Sequence, residues 1–394
     1  MGGRYVSSTW AHDPSLYAPA KYRRACTYDA FLPDGVTGFN PTIPAELAGV
    51  VSDAEAAIRS LNDHAHPALR PMARLLLRTE SIASSKVEGL QADARSLARA
   101  EAKADVGTNV GSDVAEVLAN IDAMELAVEE TAARAAITLN GLVGIHEALM
   151  RRAPNAAVAG RVRNVQNWIG GNDYNPCGAD FVPPPPEHVA SLLADLCEFC
   201  NSDHLPPLIH AAVAHAQFET IHPFEDGNGR TGRALIHVLL RRRGLAPSYV
   251  PPISVVLAAN KNRYIDGLAQ YRNGDLDEWI EHFAVAAAQA ASLADRYLRR
   301  VRDLQETWRL QLRAHTDLRS DAAAWAVIDE LPGHPVVTVP VATAVTGRSK
   351  SSTALAVDQL VEAGILLPLS GSKRNRAWEA VGLLDLLAGL EAGR

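Results

Sequence analysis

Cysteine is scarce in this 394-residue chain, four in all, and four cysteines at this length do not make a disulfide framework. That scarcity predicts a reducing compartment. No apolar run reaches the roughly 18 to 20 residues a bilayer span requires, and the opening MGGRYVSSTWAHDPS has no basic-then-apolar signal pattern. The expectation from both absences is a cytoplasmic protein with no membrane partner. An excess of positive charge is missing too: 38 basic against 45 acidic side chains leave a formal charge of −7, so the surface as a whole is not built to coat nucleic acid or anionic lipid. Internal repeats, low-complexity tracts and a GxxxxGK[ST] phosphate loop are also absent. What remains is an ordinary globular composition, 47% hydrophobic, at a length suited to two or three domains.

The first forty-odd residues are rich in Pro, Tyr and Gly without a sustained period, and read as an extended arm. From Ile43 to about Ala104, Ala, Leu and charge recur at helical spacing, with restarts at His66-Pro67 and Arg70-Pro71 where proline lacks an N–H. Helical patterns return from Ser112 to about Arg152, and from Glu187 to Asn201 after the tetraproline Pro183 to Pro186. Between them, Asn164 to Val182 reads as a β-hairpin whose tip holds Gly170-Gly171-Asn172-Asp173. Further helices cover Pro207 to Phe218 and run from Asn228 past Arg243. Asp275 and Glu278 then form a capping box that opens a long, charged helix to about His315. Beyond it come a helix (Asp321 to Glu330), a β-branched run (Val336 to Val339), two helices (Pro340 to Thr346 and Ser349 to Ala363) and a basic hairpin (Ile365 to Glu379). That order resembles a winged helix domain. The predicted class is mainly α, in three stretches: 1–111, 112–315 and 316–394.

The informative string is His222-Pro223-Phe224-Glu225-Asp226-Gly227-Asn228-Gly229-Arg230-Thr231-Gly232-Arg233. Glycines let backbone N–H groups close on an anion, and a helix starting there adds unpaired donors and a favourable dipole. Arg230 and Arg233, three apart, share a helical face and can offer two forked guanidinium groups to successive phosphates. A carboxylate here suits Mg²⁺, which binds through one or two carboxylates together with phosphate oxygens and water. His222 stands where a hydroxyl could be deprotonated. An EF-hand reading fails, because Arg230 occupies a position that needs an oxygen ligand.

These residues resemble the Fic family signature H-x-F-x-[D/E]-G-N-G-R-x-x-R, matched at every specified position. The resemblance implies a helical Fic core with a β-hairpin flap that transfers AMP from ATP to a protein hydroxyl. By position, His222 would be the general base and Asp226 the Mg²⁺ ligand. Asn228 with the backbone at Gly227 and Gly229 would anchor phosphate, Arg230 and Arg233 would bind the distal phosphates, and Phe224 would fix the loop in the core. Glu225 stands at a variable position. Ser84-Ser85-Lys86-Val87-Glu88-Gly89 resembles the family's inhibitory helix [S/T]-x-x-x-E-[G/N], with Ser84, Glu88 and Gly89 matching. The resemblance implies an ion pair of Glu88 with Arg233 in the place of a γ-phosphate. The hairpin at 164–182 would be the flap that holds a target segment by strand addition, and Tyr264 would stack on the adenine unless it is a core tyrosine.

Other constellations are weaker. Cys197 and Cys200 have a metal-like spacing, but no second CxxC follows and His210 and His215, five apart, splay on a helix. Two helix cysteines explain them better than zinc does. Cys26 and Cys177 have no local partner signature. Residues 316–394 carry seven basic and nine acidic side chains, yet Arg348 and Lys350 open one helix and Lys373, Arg374 and Arg376 sit on the wing. Expected cofactors are ATP and Mg²⁺. Expected partners are a protein with a Ser, Thr or Tyr hydroxyl, the chain itself included, with DNA through the wing and a homodimer both compatible. Two alternatives stay open: a DNA-binding regulator whose Fic site senses nucleotide, and a Fic enzyme that uses another donor or removes AMP.

Overall fold

The computed structural model describes residues 2–63, 70–104, 111–369 and 376–391. In chain order it begins with strands β1 (Gly3–Trp10) and β2 (Cys26–Pro33) and helices α1 (Ala45–Asp63), α2 (Arg70–Val87), α3 (Ala94–Ala104) and α4 (Ser112–Glu125). Next come α5 (Leu139–Met150), α6 (Pro186–Cys200), α7 (Pro207–Ile221), α8 (Asn228–Arg242), α9 (Ile253–Ala259), α10 (Lys261–Asn273) and α11 (Leu276–His315). The last part holds α12 (Ala323–Glu330), β3 (Val336–Thr338), α13 (Val339–Thr346), α14 (Lys350–Glu362), β4 (Leu366–Pro368), β5 (Ala377–Ala380) and α15 (Leu383–Glu391). The mainly α class follows. Among the described residues no helix is long and apolar enough to cross a membrane.

The chain forms two compact units, neither of them one continuous stretch. The first comprises Met1–Glu55, Asp122–Leu245 and Lys261–Val285; the second comprises Ala56–Ile121, Ala246–Asn260 and Ala286–Arg394. At the centre of the first unit is α7, buried at every position from Leu208 to Ile221, as befits a helix with no polar face. It packs against α6, α8 and α10. The fully buried Trp279 indole donates its N–H to the Ala212 carbonyl at 2.9 Å, so its polar end is satisfied while its rings add roughly 1.5–3 kcal/mol of burial.

The arm of this unit is more ordered than the sequence suggests. β1 and β2 pair antiparallel, from Gly3 opposite Pro33 to Trp10 opposite Cys26. Conversely, the hairpin predicted over 164–182 shrinks to one bridge, Ile169 with Phe181. Its tip is shaped by Asn172, whose Oδ1 accepts the N–H groups of Tyr174 (2.9 Å) and Asn175 (3.0 Å). An asparagine turn of this kind replaces ladder pairing. The expectation for the cysteines also needs correcting: Cys26 and Cys177 are joined by a disulfide, whereas Cys197 and Cys200 are free and buried on α6.

In the second unit, α2 packs on α9 and α15, and α3 packs on β3 and α15. The buried Glu80 carboxylate accepts the Ser254 N–H (2.8 Å) and hydroxyl (2.6 Å) at the start of α9. Helices α12, α13 and α14 pack on one another beside an antiparallel sheet of order β3-β5-β4. Thr338 caps α13 and Ser349 caps α14 through their hydroxyls. Lys373 and Arg374, expected on the wing, lie outside the described residues.

Candidate active site

Helix α7 ends at His222, whose backbone is left-handed (φ 49°, ψ 61°). Among the described residues it is the non-glycine residue with positive φ, a conformation that costs on the order of 1–3 kcal/mol and persists where neighbours enforce it. The neighbours are Arg163 and Asn167. Arg163 donates from Nε to the His222 carbonyl (2.8 Å), from Nη2 to Pro184 (2.7 Å) and from Nη1 to Val165 (3.0 Å), while its backbone N–H reaches Pro223 (2.9 Å). Burial lowers this guanidinium to about 10, so it stays charged at neutral pH. Asn167 Nδ2 donates to the Phe224 carbonyl at 2.9 Å. The His222 side chain is 17% exposed, with Nδ1 4.0 Å from Glu219 Oε2. A carboxylate on that side favours the proton on Nδ1 and leaves Nε2 as the basic nitrogen.

The loop after His222 is clamped from inside. Phe224 is fully buried, its ring stacked on His146 at 3.7 Å between centroids and 1° between planes. His146 Nδ1 accepts the Gly160 N–H (3.1 Å), and that fixes the tautomer in which Nε2–H donates to the Asp226 carbonyl (3.0 Å). Burial pushes the imidazole down to about 4, in keeping with a neutral ring. Asn228 makes a two-way bond to Phe224: Oδ1 accepts its N–H and Nδ2 donates to its carbonyl, both at 2.8 Å. The Asn228 side chain therefore staples the loop, and an anion here would meet backbone. Gly227, at φ 77°, turns the chain into α8, and a Cβ there would meet Met150 Sδ at 2.9 Å and Leu149 at 3.1 Å. The first rung of α8 runs from the Thr231 N–H to the Gly227 carbonyl (3.1 Å), so the N–H groups of Asn228 and Gly229 precede the ladder, at the positive end of the helix.

Arg230 and Arg233 lie one turn apart on α8, both buried. Arg230 Nη2 is 3.9 Å from Asp226 Oδ1. The Asp226 side chain is 52% exposed, and its Oδ1 accepts the Gly227 N–H at 2.6 Å. No cluster of three or more His, Cys, Asp or Glu side chains able to hold a metal occurs among the described residues. One half-exposed carboxylate beside a helix N-terminus would nevertheless suit Mg²⁺, which binds through one or two carboxylates and takes its remaining ligands from phosphate oxygens and water. Gly232 lets α8 approach α7: a Cβ there would press on Glu219 and on Phe218 Cδ1 at 2.9 Å.

Tyr264 does not face a cleft. It is buried, its hydroxyl 2.8 Å from His215 Nε2, with its ring beside His215 and Trp279. That placement agrees with the alternative of a core tyrosine. In the second unit Ser84 is buried in α2, Glu88 is exposed just past the last turn, and Gly89 (φ 89°) ends the helix. Sequence reasoning overlooked His146, Arg163, Asn167 and Glu219. The Glu219 to His222 spacing of one helical turn was the signal that could have been read.

Residues 136–240 match the family model described as Fic/DOC family, and residues 49–129 match Fic/DOC family N-terminal. The chain thus contains a segment similar to the Fic/DOC domain, preceded by one similar to that family's N-terminal region. Among curated Fic relatives, protein adenylyltransferase Fic of Drosophila yakuba is 31% identical over 151 residues, and protein adenylyltransferase fic-1 of Caenorhabditis briggsae is 28% identical over the same length. In each case the match covers 38% of this chain and 27% of the relative, so the chain spans about a quarter of the length of these relatives. A Fic family protein from Desulfovibrio desulfuricans has the same overall fold, with a TM-score of 0.51 and 20% identity over 87% of this chain and 98% of that one. Caenorhabditis elegans Fic-1 gives the same TM-score over 65% of this chain and 73% of that one.

Proposed function

We propose that this chain transfers AMP from ATP to a hydroxyl side chain of a protein, and that Glu88 restrains the transfer. The observation that carries the reading is His222, held in a left-handed turn by Arg163 and Asn167 directly before a loop that leads into the N-terminus of α8. In the proposed step His222 Nε2 takes the hydroxyl proton as the oxygen attacks the α-phosphorus. The bond to the pyrophosphate oxygen breaks, and pyrophosphate leaves. The N–H groups of Asn228 and Gly229, with Arg230 and Arg233, orient the phosphates, so catalysis is mostly positioning and electrostatics. A Mg²⁺ held by Asp226 would neutralise phosphate charge. The curated relatives named protein adenylyltransferase support adenylyl transfer with a protein as acceptor.

The restraint by Glu88 rests on the Ser84, Glu88 and Gly89 pattern, with Glu88 exposed at the end of α2. Mass spectrometry after incubation with Mg²⁺ and ATP tests both statements. A gain of one AMP is expected on the parent chain, a much faster gain on Glu88→Gly, and none on His222→Ala, which should still bind ATP in calorimetry. Labelling of His222→Ala at the parental rate would overturn the mechanism. Equal rates for Glu88→Gly and the parent would remove the restraint. Parallel incubations with GTP, CTP and UTP read the donor base.

A further inference from the structure

Cys26 and Cys177 are joined across 151 residues of sequence, at the point where two lightly built pieces of the first unit meet. Cys26 opens β2, and Cys177 lies in the flap tip, which has one ladder bridge behind it. Among the described residues the other ties between arm and tip are non-covalent. Asn175 Nδ2 donates to the Tyr22 carbonyl at 2.9 Å, Tyr22 stacks on Tyr174 at 5.2 Å, and Trp10 meets the edge of Trp168 at 5.7 Å. The disulfide is thus the covalent member of a small set of contacts that hold the tip. On the other limb of the flap Val165 and Ile169 are 49% and 41% exposed, an apolar edge open to a partner segment.

Reactivity divides the four cysteines in two. Both cysteines of the bonded pair are half-buried rather than enclosed. Cys197 and Cys200 are buried on α6, where burial pushes the Cys197 thiol up to about 11 and the Cys200 thiol higher still, so neither forms the thiolate that exchange requires.

We propose that Cys26 and Cys177 form a reversible redox site that takes a small disulfide of the glutathione type as oxidant, and that its state sets the order of the flap. In oxidation the thiolate of one cysteine attacks a sulfur of the small disulfide and expels one thiolate. The second cysteine then attacks the protein sulfur of that mixed disulfide and expels the other. Two thiols become one disulfide, two electrons pass to the oxidant, and two small thiols are released; excess thiol reverses the sequence. Oxidised, the flap tip is pinned to β2 and pre-organised for a segment; reduced, the tip relies on the contacts to Tyr22 and Trp10, while the base of the flap keeps the bond from the Phe31 N–H to the Val182 carbonyl (2.9 Å). The role of the flap in holding a target rests on the proposed function, whereas the redox chemistry does not.

The test uses the whole chain without nucleotide or target. After glutathione disulfide, native iodoacetamide should add to no cysteine; after dithiothreitol it should add to Cys26 and Cys177, with Cys197 and Cys200 reacting only in urea. Hydrogen exchange of amides in 164–182 should be roughly tenfold faster in the reduced chain, with α7 and α8 unchanged. Cys26→Ser and Cys177→Ser should each copy the reduced pattern and ignore the oxidant, and reduction of the parent supplies the same comparison should either variant fail to fold. Alkylation of both cysteines after oxidant, stable glutathione adducts at each, or flap exchange indifferent to the bond would overturn the proposal. A chain that passes these tests yet transfers no AMP would sink the adenylyl reading alone.

Discussion

His222 holds a backbone conformation that glycine would adopt at lower cost, so its imidazole is retained against local stability. His222→Gly and His222→Ala should both lose AMP transfer, yet the glycine variant should be more stable by about 1 kcal/mol in urea denaturation, because only alanine keeps a Cβ in the left-handed region. Equal stabilities would mean the turn relaxes once the side chain is gone. His146 makes a second test at this scale. Its folded value near 4 lies below the 6.5 of the unfolded chain, so as pH falls through 6.5 the unfolded state takes the proton first. The associated stability is fully present above about 6.5, falls toward 4, and changes no further below. His146→Gln should reduce the slope of unfolding free energy against pH in that window by up to about 1.4 kcal/mol per unit; an unchanged slope would assign the proton to another group. The positions of the 222–233 motif were legible because their spacing is fixed. His146, Arg163 and Asn167 were not, because the carbonyls and ring face they hold in the motif lie 50 or more residues away, which no local string encodes.

At the scale of elements, the glycines of the motif decide how α8 begins and how near it lies to its neighbours. Gly227→Ala brings a Cβ against Met150 and Leu149 while forcing alanine to φ 77°, and both effects oppose the turn. A loss of about 2–4 kcal/mol is expected, together with weaker ATP binding in calorimetry, because the N–H groups of Asn228 and Gly229 would shift with the loop. Parental stability and affinity in that variant would show that the loop adapts freely. Most helices were legible, since an apolar stripe or an all-apolar run identifies a packed helix, but α9, α10 and α15 were not read from the sequence. Strands β3, β4 and β5 fall on the β-branched run at 336–339 and the hairpin at 365–379, whereas β1 and β2 were not legible. β1 has one half-buried and one exposed face, but Ser8 lies on the half-buried face and Tyr5 on the exposed one, so the sequence lacks the apolar-polar alternation that announces a half-buried strand. The flap was read as a hairpin from its glycines and aromatics, but Asn172 organises the tip by side-chain bonds that compete with pairing.

At the scale of the molecule, each compact unit draws on separate parts of the chain, a division that contact over long separations creates and a linear reading cannot register. One consequence concerns how the last part of the chain should be tested. Residues after His315 supply β3 and α15, on which α3 packs, and Gly333, where a Cβ would lie 3.1 Å from Pro71 Cα. Cutting the chain at 315 would therefore unroof α2 and α3 and confuse binding with unfolding. Charge reversal at the surface avoids this. Arg348 and Lys350 are exposed where α14 starts, and Arg376 lies over the Trp378 ring at 5.0 Å. If α14 meets DNA, Arg348→Glu with Lys350→Glu should weaken binding by tenfold or more at low salt and flatten the slope of log affinity against log salt by roughly 2, one unit for each phosphate that is no longer neutralised. AMP transfer should be unaffected. An unchanged slope would put any DNA contact elsewhere, and no binding by the parent chain even at low salt would favour a protein partner for this region, whose seven basic and nine acidic residues leave little net attraction for a phosphate backbone.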